Sequence, residues 1–451
     1  MANETKFSTK LGVIAATVGS AVGLGNIWRF PYEAGMHGGG AFLLIYALFV
    51  LLIGVPVVAG EFVIGRYAGT NVCGAFKKLK AAPFWHSVAY IGLLSSLLIL
   101  GFYSVVAGWT IEYIYQAVTG FGGATSEAAL HSRFDSFTAS GGRQIFWTTL
   151  FLAVNFLVIS RGVRQGIEKM SNILMPMLFA ILFVFCVNSC FMPGTGEGLA
   201  FLFRPDFSKI DVSTVLGALG QAFFSLSVGM GVLMTYASYF STSTRLIGTS
   251  MTTAVLDTLV AVMAGIVIFP AVFSFGEAPT AGPRLVFEVL PSIFTTLPGG
   301  CFWALLFFVL LFVAALTSTV SLSEVVIAWF VGEWKWSRAK ATIVYGVAIC
   351  LLSSLCALSF GPLADVRIFG LTFFDLFDFV SSNILLPIGG LLIALYTGWK
   401  LPRRILRAQL SAPGRDPEAA TPAGVRLIIF SLRYICPLAI LAIFVWGLLP
   451  R

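Results

Sequence analysis

Gly19-Ser20-Ala21-Val22-Gly23-Leu24-Gly25-Asn26 interrupts an apolar run that extends from about residue 10 to residue 35. Phe224-Ser225-Leu226-Ser227-Val228-Gly229-Met230-Gly231 interrupts a second run, near 212–240, in the same way. Both place glycines and small polar side chains where an ordinary membrane helix carries only bulk. Alone, each reads equally well as close helix packing through small residues. The two lie five apolar runs apart, and interrupted spans at matching positions in two halves of a chain point to a binding site between inverted repeats.

Working outward, the 451 residues are 58% hydrophobic and only 11% charged, with mean hydropathy +0.93. A soluble domain carries roughly 25% charge, so lipid is the expected solvent. Spans of about 20 apolar residues fall near 10–35, 40–66, 86–118, 144–160, 166–190, 212–240, 247–275, 300–331, 339–357, 371–398 and 425–449. The fold expected is an all-α membrane protein of about eleven transmembrane helices. One domain over 1–450 would comprise a first repeat over 10–190, a second over 212–398 and an added helix over 425–449. The proline- and glycine-rich stretch 276–298 reads as an external loop with short helices, and 411–424 as a polar linker.

The net charge of +8 could suggest nucleic acid, but the cations sit in short loops between spans. With the N-terminus inside, 19 of the 28 Lys and Arg residues fall on the cytoplasmic side. That asymmetry predicts a multi-pass membrane protein with the N-terminus cytoplasmic and the C-terminus outside. No small-residue cleavage site follows the first span, so it reads as retained. The seven cysteines lack metal-ligand spacing and read as small buried hydrophobes. Glu61, Asp257 and Glu324 are acids in or beside spans, but no His-Glu-x-x-His or nucleophile–base pairing accompanies them, so an enzyme is not expected.

A broken helix frees carbonyls and amides, tolerated at membrane depth only where they line a cavity or bind something. Free carbonyls suit an alkali cation, and free amides at the start of a half-helix suit a carboxylate. A small zwitterion with a cation beside it is the expected cargo.

Gly23-Leu24-Gly25-Asn26-Ile27-Trp28-Arg29-Phe30-Pro31 and Gly38-Gly39-Gly40-Ala41-Phe42 resemble the signature of the neurotransmitter:sodium symporter family. Gln221-Ala222-Phe223-Phe224-Ser225-Leu226-Ser227 and Ala314-Ala315-Leu316-Thr317-Ser318 resemble its sixth- and eighth-span signatures. The resemblance covers nearly the whole chain and implies the leucine-transporter fold, a 5+5 inverted repeat with spans 1 and 6 broken. It implies two sodium sites. Ala21, Asn26, Ser225 and Asp257 would form the first, and Gly19, Val22, Ala314, Thr317 and Ser318 the second. Thr317 and Ser318 also fit plain interhelical hydrogen bonding.

The resemblance further implies a substrate pocket of Ser20, Ala21, Leu24, Gly25, Ile99 and Tyr103, facing Phe224, Ser225, Ser227, Met230, Ser318 and Leu322. Tyr103 would bind the carboxylate and Phe224 would lid it. Gly23 stands where monoamine carriers have an acid, which favours an amino acid. The Ile, Leu, Met and Phe walls favour an apolar side chain. The pattern is most similar to bacterial members that carry several hydrophobic amino acids. Asp257 stands where many relatives have Asn, and Ala261 where chloride-dependent ones have Ser. A fixed carboxylate could replace chloride, so no chloride requirement is expected. Whether Asp257 stays paired with Na⁺ or exchanges it for a proton is left open.

Arg29 and Asp378 resemble the external gate, and Tyr239 matches a residue of the internal one. The family's internal Arg–Asp latch is not reproduced, because Glu4 and Gly332 stand there; Lys6 with Glu324 or Glu333 is an alternative. Glu61 reads as a partner for backbone freed near the first broken helix. The Gly166–Pro176 pair in the fifth span resembles a family feature tied to unwinding, with a plain proline kink as the other reading. The function implied is sodium-coupled import of apolar L-amino acids, as monomer or dimer. The alternative is a non-transporting amino-acid sensor on the same fold.

Overall fold

A computed structural model describes residues 6–123, 127–276, 285–296, 299–411 and 422–448. Among them, nine helices are long and apolar enough to cross a membrane. Span 1 is a tenth passage made of two helices, Lys10–Ala21 and Gly25–Met36, bent by 49° at the break. Val212–Ser225 and Val232–Ala237 are each too short to cross alone; together they form span 6, the eleventh passage. Spans 2 to 5 are Gly40–Ala68, Pro83–Val118, Gly141–Ser160 and Val163–Ser189. Spans 7 to 11 are Leu246–Ser274, Gly300–Glu333, Arg338–Leu358, Phe373–Lys400 and Ala423–Val445. The fold is all-α, and its breaks fall where the two glycine-rich stretches lie. Most of the linker over 411–424, the C-terminal residues 449–451 and much of the loop over 276–298 lie outside the described residues. Within that loop Leu285–Val289 and Leu290–Thr296 are helical.

The outer surface is what lipid requires. Phe183, Leu351 and Leu438 are each more than 60% exposed, a cost of about 1.5–3 kcal/mol apiece in water and none in hydrocarbon. Inside, Glu61, Asn26 and Asp257 are completely buried, so their partners decide whether the fold is tolerable.

The backbone opened by the two breaks is satisfied almost group by group. Helix geometry ends at Val22, which turns to extended angles. The Gly23 amide then donates to the Asn26 side chain at 2.9 Å, and the Leu24 amide to the Tyr103 hydroxyl at 2.7 Å. Gln221 donates to the Gly25 carbonyl at 2.9 Å. In span 6, Ser227, Gly229 and Gly231 all take positive φ. Gly229 has no alternative there, because a Cβ on it would lie 2.8 Å from the Leu386 carbonyl oxygen. Glu61 accepts from the Gly229 amide at 2.8 Å and the Met234 amide at 3.2 Å. Glu61 therefore serves the break in span 6, not the one in span 1 as expected. The second span runs beside both, and its sequence does not say which one its acid faces.

The fifth span is helical through Pro176. Its irregularity is a wide π-turn over Val163–Glu168 at its start, so the stretch from Gly166 to Pro176 is wound here.

Candidate functional site

Three groups, from spans 1, 2 and 6, converge on the Asp257 carboxylate of span 7. Asn26 donates to Oδ1 at 2.7 Å and Ser225 to Oδ2 at 2.6 Å. Tyr46, from the second span, donates to Oδ2 at 3.3 Å and lies 3.4 Å from the Ser225 hydroxyl. All three donors are neutral, and among the described residues no Lys, Arg or His lies within ion-pair distance of the carboxylate. A carboxylate in low dielectric needs a cation. The Ala21 carbonyl, in the last turn before the break, has no hydrogen-bond donor among the described residues. A free carbonyl, a hydroxyl, an amide oxygen and a carboxylate are hard oxygen ligands suited to Na⁺. Tyr46 was not singled out from the sequence. A tyrosine in an apolar span reads as core, and only the fold aims its hydroxyl at Asp257.

The five second-site residues also come together. Ser318 donates to the Val22 carbonyl at 3.1 Å, and Thr317 to the Ala314 carbonyl at 3.0 Å. A Cβ on Gly19 would lie 3.5 Å from Thr317 Cβ. The Gly19 carbonyl, like that of Ala21, meets no donor among the described residues. Here the oxygens are all neutral.

Between these clusters lies a cavity of about 20 Å³. Ser20, Ala21, Gly25, Ile99 and Tyr103 line it together with Phe224, Ser227, Met230, Ser318 and Leu322. Two expected lining residues are absent. Leu24 presents only its amide, to Tyr103, and Ser225 turns its hydroxyl to Asp257. Gly23 lines the cavity instead. A Cβ there would sit 2.4 Å from Ser318 Oγ and 2.6 Å from the Tyr103 hydroxyl, so an acid at this position does not fit this arrangement.

The cavity is covered on the side away from the N-terminus. Phe224 lies over Gly25, whose Cβ would come within 2.9 Å of the ring. The Arg29 guanidinium sits 4.7 Å above the same ring. Arg29 reaches Asp378 at 3.4 Å, Ser382 at 3.0 Å and Glu33 at 3.6 Å. Above this layer a vestibule of about 590 Å³ opens. On the N-terminal side, Phe7 packs edge-on against Tyr236 and Tyr239 at 5.8 and 6.2 Å. Tyr239 donates to Glu324 at 2.7 Å, and Glu324 also pairs with Arg338. Glu333 is taken by Lys77 and Asn71. Neither acid pairs with Lys6, so the suggested substitute latch is not formed; Glu4 lies outside the described residues.

With this geometry in hand, comparison with known proteins is decisive. The family model "Sodium:neurotransmitter symporter family" matches residues 4–123 and 125–445. This chain belongs to that family. It is 39% identical over 439 residues to the sodium-dependent transporter YhdH of Bacillus subtilis, covering 97% of this chain and 96% of the relative. A sodium-dependent transporter of Haemophilus influenzae is 35% identical, covering 98% of each chain. Among solved structures, MhsT in complex with L-phenylalanine superposes with a TM-score of 0.92 at 44% identity, covering 98% of this chain and 99% of that one. The family member described here is thus a multi-pass, sodium-dependent transporter with the leucine-transporter fold, and its fold and family are those of transporters, not enzymes.

Proposed function

We propose that this transporter imports apolar L-amino acids together with sodium, by alternating access and without chloride, across a bacterial inner membrane. The observation that carries the reading is the buried Asp257 with neutral donors only, beside a cavity walled by Ile99, Phe224, Met230 and Leu322. A fixed carboxylate supplies the negative charge that a free anion would otherwise bring. The carbonyls of Gly19 and Ala21, which meet no donor among the described residues, support two cations near the end of the first helix of span 1. The Tyr103 hydroxyl, which accepts from the Leu24 amide and lines the cavity, supports carboxylate binding there, and the absence of a side chain at Gly23 supports it too. A relative at 44% identity solved with L-phenylalanine fits the same substrate class. The cation asymmetry of the loops supports a cytoplasmic N-terminus and an external C-terminus.

The layers over the cavity support alternating access. Arg29–Asp378 and Phe224 close it externally. Phe7, Tyr239 and the Glu324–Arg338 pair close it internally. Flux requires the two closures to open in turn.

The test is uptake of radiolabelled amino acids into proteoliposomes, with Na⁺ replaced by K⁺ and chloride by gluconate. Sodium-dependent accumulation of Leu, Phe or Trp, unchanged in gluconate, is expected. Sodium-dependent binding without accumulation would instead support a sensor, and loss of uptake in gluconate would refute the role given to Asp257.

A further inference from the structure

The positions of the family's internal Arg–Asp latch hold Glu4 and Gly332, and the nearby acids Glu324 and Glu333 are committed to Arg338 and Lys77. Besides the Phe7 amide, which donates to the Tyr239 carbonyl at 3.2 Å, the cytoplasmic end of span 1 meets one buried acceptor. We propose that Glu168, at the start of span 5, is that latch, a positioning residue that holds the first helix of span 1 in its closed place.

Glu168 is 2% exposed. Its carboxylate accepts from the Ser8 amide at 2.9 and 3.1 Å and the Ser8 hydroxyl at 2.7 Å. It also accepts from the Thr9 amide at 3.2 Å and the Thr9 hydroxyl at 3.3 Å. These groups immediately precede the helix Lys10–Ala21, where amides have no intrahelical partner and the helix dipole favours negative charge. Thr9 caps the Gly12 amide at 2.9 Å, so the entire start of the helix is fastened to span 5 or to itself. The arrangement depends on Gly12, where a Cβ would lie 2.0 Å from Glu168 Oε1.

The same two helices meet again deeper in the membrane, where a Cβ on Gly19 would lie 3.2 Å from Met175 Sδ. Gly12 to Gly19 and Glu168 to Met175 are both seven residues, about 10.5 Å of helix. The latch and the second sodium site are therefore two points on one parallel seam. The seam's cytoplasmic end is also its least regular part. Glu168 ends the wide turn Val163–Glu168, which follows Gly162 at φ +82°. That turn borders an open cavity of about 850 Å³ lined by Ser8, Arg161, Arg164 and Glu168. Rewinding or unwinding this turn would withdraw the acceptor from Ser8 and Thr9 and free Phe7 from Tyr236 and Tyr239. Opening of span 1 is thereby tied to the shape of span 5.

The direction of the effect rests on the transport reading, but the contact does not. The experiment is hydrogen–deuterium exchange over residues 6–14 of the full chain in lipid nanodiscs, in Na⁺ and in K⁺, with uptake measured in parallel. In the wild type, Na⁺ slows exchange there. Glu168→Ala raises exchange in Na⁺ by about tenfold, to the K⁺ level, while exchange over span 9 is unchanged. Glu168→Gln, which still accepts through its amide oxygen, falls between. Gly12→Ala reproduces Glu168→Ala, and the double variant is no worse than either. Exchange in Glu168→Ala equal to wild type, or additive effects in the double variant, would overturn the latch. Absence of sodium-dependent uptake by the wild type would refute the transport reading instead and leave the comparison of Glu168→Ala with wild type in one buffer intact.

Discussion

The two proposed cation sites share the broken first span and are built from different chemistry. The first gathers Asn26, Ser225 and Tyr46 around a buried carboxylate. The second offers carbonyls of Gly19, Val22 and Ala314 with the hydroxyls of Thr317 and Ser318, all neutral. Charge on one side and dipoles on the other imply different failure modes. Removing the charge should weaken the first site most, because among the described residues Asp257 forms no ion pair. Removing one neutral ligand from the second should cost only that ligand's share.

The largest expected effect follows directly. Asp257→Asn keeps an oxygen ligand but removes the charge. The half-saturating Na⁺ concentration should rise by about 30- to 150-fold, the equivalent of roughly 2–3 kcal/mol. Adding Ala261→Ser to that variant places a hydroxyl where chloride-dependent relatives carry one. Uptake by the double variant should recover by about tenfold when chloride replaces gluconate; an identical response in both anions would sever the link between Asp257 and chloride independence. Ser318→Ala removes a single hydroxyl that now donates to Val22. A rise of about fivefold in half-saturating Na⁺ is expected, near 1 kcal/mol, with no change in chloride response. Tyr46→Phe should be the mildest, about two- to fivefold, because its contacts at 3.3 and 3.4 Å are long. A Tyr46→Phe effect as large as that of Asp257→Asn would mean the hydroxyl, not the carboxylate, organises the site.

The contrast also separates what the sequence made legible from what it hid. Glycine and serine at mid-depth in spans 1 and 6 mark the breaks because they recur at matching positions of the two halves, which close helix packing alone does not require. Asp257 is readable for the same reason. Tyr46 is not, since its type is ordinary in an apolar span and its role depends on rotation about the helix axis. Glu61 was legible as a partner for freed backbone, but two breaks compete for it and only packing assigns it to Gly229 and Met234. Glu168 is hidden because an acid at the start of a span reads as a solvated interface residue. Its signal was local: it stands two residues after Gly166 and at the head of a long apolar run, where a buried acid needs donors. Leu24 and Ser225 were expected to face substrate, and the fold spends them on Tyr103 and Asp257 instead.

The most direct test of the central claim is a sodium titration of radiolabelled phenylalanine or leucine binding to purified wild-type, Asp257→Asn and Ser318→Ala protein in gluconate. The account predicts that half-saturating Na⁺ rises by about two orders of magnitude in Asp257→Asn and by only about fivefold in Ser318→Ala. Wild-type sodium affinity in Asp257→Asn would contradict it, because the buried carboxylate would then not be the cation's partner.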